Sequence, residues 1–342
     1  MISLKQLATM CEVSEATASK SLSGRGGVRQ ATREKVLKMA ERFNYRSNAL
    51  VRSIQSGKTM MVGVACGHFK NIYAGMIMEG GQKTLLGCGY DLIVIPWGLE
   101  DRGGEEIFRS FAERRVDWLL VFPPDQLPTP QYIRELRRVN CPLVLIDQNW
   151  TGCEFDFVGT DDRSGAAAVT EHLIGLGHRD IANFYYGSVS TGGARLEGFE
   201  SVMRKHGLPV HSKWLVNIKD LEKDAYRQAK QLLTREDRPS AIVCFNDYVA
   251  MQVMSAAWDL GVKVPEDVSV TGFADMWVAR EVRPRLTTVR QDGQQVGIKA
   301  AQLLLKRIVE KQSGKSAEFT PRCVLLPTEF VARDTTAKAI IK

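Results

Sequence analysis

Residues 4–59 read LKQLATMCEVSEATASKSLSGRGGVRQATREKVLKMAERFNYRSNALVRSIQSGKT, and the spacing of their apolar positions decides the first domain. Leu4, Leu7, Ala8 and Cys11 recur at helical intervals and predict a short first helix. Glu12-Val13 makes a turn, and Ser14 stands where it can cap a second helix, Glu15 to Leu22, with Ala18 and Leu22 facing inward. Ser23-Gly24-Arg25-Gly26-Gly27 ends that helix. A third is expected from about Thr32, with Val36, Leu37, Met39, Ala40 and Phe43 as its apolar stripe. Two short helices about a tight turn, braced by a third, form a helix-turn-helix.

Charge is concentrated in the same stretch. Residues 1–58 hold eleven Lys or Arg against four Glu, a surplus of seven that equals the net +7 of the whole 342-residue chain. The rest of the chain carries 35 charges of each sign. A confined basic segment is the electrostatic footprint of a phosphate-backbone binder. The second helix adds base-reading chemistry. Lys20 can donate to guanine O6 and N7, Glu15 can accept from cytosine N4, and Ala16 can touch a thymine methyl. Ser14, Thr17, Ser19 and the helix N-terminus suit phosphate oxygens, as does Arg33 on the third helix. A three-helix protein-binding module has the same apolar pattern, so these residues alone leave that alternative open.

Beyond Met60 the period changes. Short apolar strands are expected at Met61–Ala65, Tyr90–Ile95, Trp118–Phe122, Leu143–Asp147, Phe157–Gly159, Ile181–Tyr185, Ala241–Phe245 and Val268–Gly272. Amphipathic helices fill the gaps, at Tyr73–Leu86, Glu105–Arg114, Arg163–Leu176, Arg195–His206, Ala225–Leu233 and Asp247–Leu260. Such alternation predicts α/β architecture, with parallel sheets flanked by helices. Two consecutive sets of units imply two lobes, and ligands of such sheets lie beyond the strands' C-terminal ends.

Other function classes find little support. No apolar run reaches 18 residues, so no membrane partner is expected. Met1-Ile2-Ser3-Leu4-Lys5-Gln6 lacks the pattern of a secretory leader, and seven scattered cysteines read as reduced core residues, which points to a cytoplasmic protein. The five histidines form no metal-binding pair, and no nucleophile elbow, P-loop or dinucleotide fingerprint follows a strand. No enzyme activity, cofactor or metal is therefore expected. Asp161-Asp162 is a carboxylate pair whose second member is read as a helix cap.

The opening run resembles the head of the lac repressor family. Four later runs also resemble its sensor domain: VGTDDRSGAAAVTEHLIGLGHRDIA, ARLEGFESVMRKHGL, PSAIVCFNDYVAMQVMSAAWDLGVKVPEDVSVTGF and RPRLTTVRQDGQQVG. The resemblance spans residues 2–333. It implies a regulator of transcription, a repressor by default, that binds a pseudo-palindromic double-stranded operator as a homodimer. It also implies a two-lobed sensor similar to periplasmic sugar-binding proteins, with a carbohydrate-type small-molecule effector between the lobes. A free solute-binding protein for sugar uptake would share the sensor but not the basic head. The implied boundaries are a head at 1–46, a hinge at 47–58, a sensor at 59–333 and a tail at 334–342. Within the sensor, one lobe takes 59–158 and 292–322 and the other 161–288 and 323–333.

Site residues follow from the same resemblance. Glu15, Ala16 and Lys20 fall at base-reading positions. The hinge Ser47–Gln55, entered near Asn48, becomes helical on operator DNA, and Ile54 takes the place of the apolar wedge that opens a base step. The effector cleft is implied to include Tyr73, Asp147, Ser190, Arg195, Asn246, Asp275 and Gln291. Tyr73 offers a stacking face, Asp147 and Asn246 accept from paired hydroxyls, and Arg195 presents a fixed fork of donors. This chain departs from the family pattern at Ser23, at Ser47 and at Ala274, where an Asp usually contacts effector.

Overall fold

The computed structural model describes residues 2–23, 26–45, 53, 57–67, 71–97, 104–124, 130–139, 141–150, 155–312 and 320–340. They form two compact units that divide after Met60.

The head is three helices, α1 (Leu4–Cys11), α2 (Glu15–Leu22) and α3 (Gln30–Arg42). Ser3 and Gln6 close a capping box on α1, and the Ser14 hydroxyl accepts from Thr17 N (3.1 Å) at the start of α2. Glu12 turns the chain in the left-handed region (φ 57°), which brings α2 across α1. Leu7, Ala8, Cys11, Ala18, Val36 and Ala40 are the buried core. Two stripe positions are corrected here: Leu37 and Phe43 are 44% and 40% exposed, and α3 starts at Gln30. A core this small is filled by the residues on the α1–α2 side of α3, so Leu37 and Phe43 fall outside it.

The larger unit holds two parallel sheets. Its first sheet contains β1 (Met61–Cys66), β2 (Asp91–Pro96), β3 (Trp118–Val121), β4 (Leu143–Ile146), β5 (Asp156–Thr160) and β11 (Cys323–Leu326), in the order β11-β5-β4-β3-β1-β2. The second contains β6 (Ile181–Tyr185), β7 (Leu215–Asn217), β8 (Ala241–Cys244) and β9 (Ser269–Thr271), in the order β7-β6-β8-β9. All these pairs are parallel, and β3, β4, β5, β8 and β9 are buried throughout, which is why β3, β4 and β8 read as continuous apolar runs.

Helices cover the sheets. In the first lobe these are α4 (Ile72–Leu86), α5 (Gly104–Glu113), α6 (Pro130–Arg138) and α12 (Gly293–Gln312); in the second, α7 (Asp162–Gly175), α8 (Ser190–Lys205), α9 (Asp224–Leu233), α10 (Asp247–Asp259) and the short α11 (Val278–Glu281). α4 and α12 meet backbone to backbone, because a Cβ at Gly80 would overlap the Gln294 carbonyl and one at Gly297 would overlap that of Ile77.

Between the lobes, β10 (Thr288–Arg290) and β12 (Glu329–Val331) pair antiparallel as a two-stranded ribbon. The third crossing therefore lies later than expected. Residues 323–326 pair with β5 in the first lobe, and only after Leu326 does the chain pass over. The tail is corrected too: it is part of the second lobe. Thr335 is fully buried, exchanges hydrogen bonds with Val270 on the edge strand β9 and takes one from Thr287 N (2.9 Å). Asp334 holds the Arg285 guanidinium through two bonds, and the Ala337 carbonyl meets His178 Nε2 (3.0 Å). An otherwise open sheet edge is thus covered. Among the described residues, no helix is long and apolar enough to cross a membrane.

Candidate functional site

On the head, Ser14, Glu15, Ala16 and Lys20 are exposed and Thr17 and Ser19 half-buried, while Ala18 is turned into the core. Ser14 and Thr17 are joined by the cap, and their hydroxyls lie 2.9 Å apart. The first turn of α2 therefore presents its N–H groups and short side chains together, with Lys20 one turn on. Arg33 is half-buried on α3. Asn48 and Ile54 lie outside the described residues, as does the segment 47–55 apart from Ser53.

In the sensor, a buried polar cluster sits where the lobes meet. Arg195, on α8, is its centre. Its Nη1 donates to the Phe245 carbonyl (2.7 Å), and its Nη2 reaches Asp162 Oδ1 and Gln291 Oε1 (3.4 Å each). The guanidinium carbon lies 3.9 Å above the Phe273 ring and 4.7 Å from that of Phe245. Gln291 follows the crossing strand β10 and donates to Thr160 Oγ1 (2.6 Å) and Asp162 Oδ1 (3.0 Å). Thr160 ends β5 and donates to the same Asp162 oxygen (3.0 Å).

Tyr73, near the start of α4 in the first lobe, is 7% exposed. Thr160 lies beside its hydroxyl, which is nevertheless buried without a hydrogen-bond partner, as is Arg195 Nε. Burial, aided by Asp147 and Asp162, pushes the Tyr73 phenol well above its usual range. Burial also raises the Asp162 carboxyl, and the neighbouring Arg195 only partly offsets it. Two polar atoms without partners in so enclosed a place suit a polar ligand.

The remaining expected cleft residues divide. Asp147 directly follows β4 in the left-handed region (φ 67°) and acts on Tyr73. Ser190, the first residue of α8, accepts from Asn149 N (3.0 Å), a direct bond between the lobes. The Asn246 side chain caps α10 by accepting from Val249 N (2.9 Å). Asp275 needs correction as a cleft residue. It is 4% exposed, and both its oxygens are occupied by Arg280, Arg290 and Arg333. Burial alone would raise its carboxyl, but those three partners outweigh it and hold it below the usual range.

Sequence reasoning missed Thr160, Phe245 and Phe273, and misread Asp162. The cap of α7 is Asp161, whose carboxylate accepts from Ser164 N (3.0 Å), while Asp162 turns into the cluster. The signal available was the carboxylate doublet at a strand end. Asp247 was also undervalued. It is fully buried and accepts from Met276 N (2.7 Å) and Thr288 Oγ1. Burial raises its carboxyl to about 7.

Comparison with known proteins identifies both units. The pattern of the bacterial regulatory proteins of the lacI family matches residues 3–48, and that of the periplasmic binding protein-like domain matches residues 170–336. The HTH-type transcriptional repressor PurR of Vibrio parahaemolyticus is 30% identical over 342 residues, covering 99% of each chain. The chain belongs to the lacI family. Other members include PurR of Vibrio vulnificus, 29% identical over 99% of each chain, and the probable repressor ExuR of Bacillus subtilis, 27% identical over 98% of each. Among solved structures, the lac repressor dimer bound to operator and the anti-inducer ONPF matches with a TM-score of 0.84 at 23% identity, over 98% of this chain and 99% of that one. At that identity it shows the fold. As a lacI-family member, the protein is a DNA-binding regulator of transcription with a helix-turn-helix head and a periplasmic-binding-protein-like domain.

Proposed function

We propose that this protein is a cytoplasmic, non-enzymatic repressor, a homodimer reading a pseudo-palindromic operator, whose grip is set by a carbohydrate-type effector held between the sensor lobes. The observation that carries the reading is the Arg195 cluster. It joins α8, the start of α7 and two of the crossings, and it leaves Arg195 Nε and the Tyr73 hydroxyl unsatisfied in a buried place. A ligand with several hydroxyls supplies acceptors to the first and a partner to the second. Asp147 and Ser190 flank it from the two lobes, and Gln291 ties it to β10. Two fold relatives are described with sugars, one a CelR–cellobiose complex and one a regulator from Enterococcus faecium with bound ribose.

For DNA, Glu15, Ala16 and Lys20 read bases in the major groove, while Ser14, Thr17, Ser19 and Arg33 hold phosphates. The hinge, with Asn48 and Ile54, works in the minor groove at the operator centre. Paired hinge segments require two chains, and short segments gain helix only with each other and DNA. A free solute-binding protein would have no use for the exposed face of α2.

The experiment is binding-site selection with the intact chain, followed by fluorescence anisotropy on the selected duplex across a salt series. Affinity should fall steeply and linearly on a log–log scale as counterions are released. Cellobiose, ribose, other sugars and nucleobases are then titrated in, and an effector should shift operator affinity by about 5- to 150-fold. Equal affinity for selected and random duplex would sink the operator reading. An affinity that none of these compounds moves would sink the effector reading.

A further inference from the structure

Residues Gly272–Met276 form a turn that closes on the inter-lobe cluster, since Phe273 carries the Arg195 guanidinium on its face. The turn is conformationally costly. Ala274 (φ 114°) and Asp275 (φ 51°) are consecutive non-glycine residues in the left-handed half of the map. Backbone of this kind persists only where its surroundings over-determine it. Asp275 is what holds it. One carboxylate oxygen accepts from Arg280 Nη2 (2.9 Å) and Arg290 Nε (2.8 Å), and the other from Arg333 Nη2. Those arginines come from three places: α11, the crossing strand β10 and the segment just after the crossing strand β12.

The main chain follows the same route. Ala274 N donates to the Val289 carbonyl (2.7 Å) and Gly272 N to that of Thr287 (2.9 Å). Arg290 also grips Glu329 of β12 (2.6 Å). Successive residues at the end of β10 therefore point to different tasks. Arg290 turns to Asp275, and Gln291 turns to Arg195 and Asp162. We infer that Asp275 is a positioning residue that fastens the strained turn 272–276 to the crossing strand β10 and to the segment leaving β12, so that the turn and the ribbon move as one body. Asp275 has this role whichever ligand fills the cleft. Three guanidiniums against Asp275 and Glu329 leave one positive charge in excess, so loss of the Asp275 charge sets the three arginines against one another.

Hydrogen exchange on the intact chain tests this with Asp275→Asn, Arg290→Gln and the double variant. In Asp275→Asn the amides of Gly272, Ala274, β10 and Arg333 should lose protection together, by about tenfold, with the amides of β6 and β8 unchanged. Arg290→Gln, at a half-exposed position, should loosen the same set and serves if Asp275→Asn does not fold. The double variant should fall short of the sum of the two singles, because both remove the Asp275–Arg290 link and only the loss of the Arg290–Glu329 pair is added. Asp275→Asn with Arg280→Gln should recover part of the protection, since one stranded guanidinium is gone. A loss confined to residues 274–276, or additive losses in the double variant, would overturn the inference, because a merely local packing role gives that pattern.

Discussion

The exposed face of α2 in the head and the inter-lobe cluster of the sensor use polar side chains in opposite ways. On α2, Glu15, Ala16 and Lys20 stand exposed on a three-helix core of small residues, and the hydroxyls of Ser14 and Thr17 serve the helix cap. Around Arg195, by contrast, Thr160, Asp162 and Gln291 are 5–6% exposed or less and are largely bound to one another. The contrast follows from the two solvents each surface meets. A surface that will meet a charged, hydrated polymer keeps its donors in water until contact. A surface that must choose a small polar molecule keeps them dry and aligned, where each lost partner is costly. Substitutions should therefore damage folding at the cleft and recognition at the head.

Four changes test that division, in descending order of effect. Arg195→Ala leaves Asp162 buried without its cation and should cost about 3–5 kcal/mol of sensor stability, along with the ligand response. Urea unfolding measures it, and a loss below about 1 kcal/mol would mean that the cluster is as wet as the head. Next comes Asp247. Its folded pKa is raised, so the stability it contributes is complete below its ordinary value of 3.8 and is lost as pH climbs through about 7. The groups facing it are Thr288, Met276 N, Asp275 and Arg333. Asp247→Asn should flatten that part of the profile by about 3–4 kcal/mol between pH 4 and 7.5. Identical unfolding profiles for variant and parent would refute the assignment.

Lys20→Ala belongs to the other side of the comparison. It should cost roughly 1–3 kcal/mol on the selected operator, relax preference at one symmetric position and leave unfolding unchanged. Equal losses on selected and random duplex would make Lys20 a phosphate contact. Smallest is Lys35→Ala, which breaks the exposed Lys35–Glu12 pair (3.3 Å) between α3 and the α1–α2 turn. Its effect on head stability should stay under about 1 kcal/mol, and a larger value in thermal melts would show that the head depends on surface charge.

How legible each region was in the sequence follows the same physics. α1 and α2 fell where spacing and the Ser14 cap put them, because local signals suffice for short capped helices. α3 starts earlier than expected since its N-cap, Arg29, makes no side-chain cap bond. The long buried strands announced themselves as apolar runs. β10 and β12 did not, since three-residue strands such as Thr288–Arg290 and Glu329–Val331 carry mixed polar faces and exist only because the lobes need a crossing. In the cleft, Tyr73, Asp147, Arg195 and Gln291 were implied by resemblance and lie together around Asp162, while Ser190 bonds Asn149 and Asn246 caps α10. Asp275 looked the same on that basis. Its real partners, at positions 280, 290 and 333, converge only through three separate turns of the chain, which no local spacing reveals.

The path of the last segments has a consequence for how the protein is made. The ribosome delivers β1 to β5 and α4 early, yet the groove that Gly80 and Gly81 open on α4 is filled by α12, at residues 293–312, and the outer edge of β5 is paired by β11, at 323–326. The second lobe waits as well, for Thr335 to close β9. A nascent chain halted near residue 290 thus exposes two unfinished surfaces at once, one apolar groove and one open sheet edge, both of the kind that chaperones bind and that aggregate when left unattended. Removing the residues after Asp334 prolongs that state indefinitely for the second lobe, whose edge strand β9 then stays open.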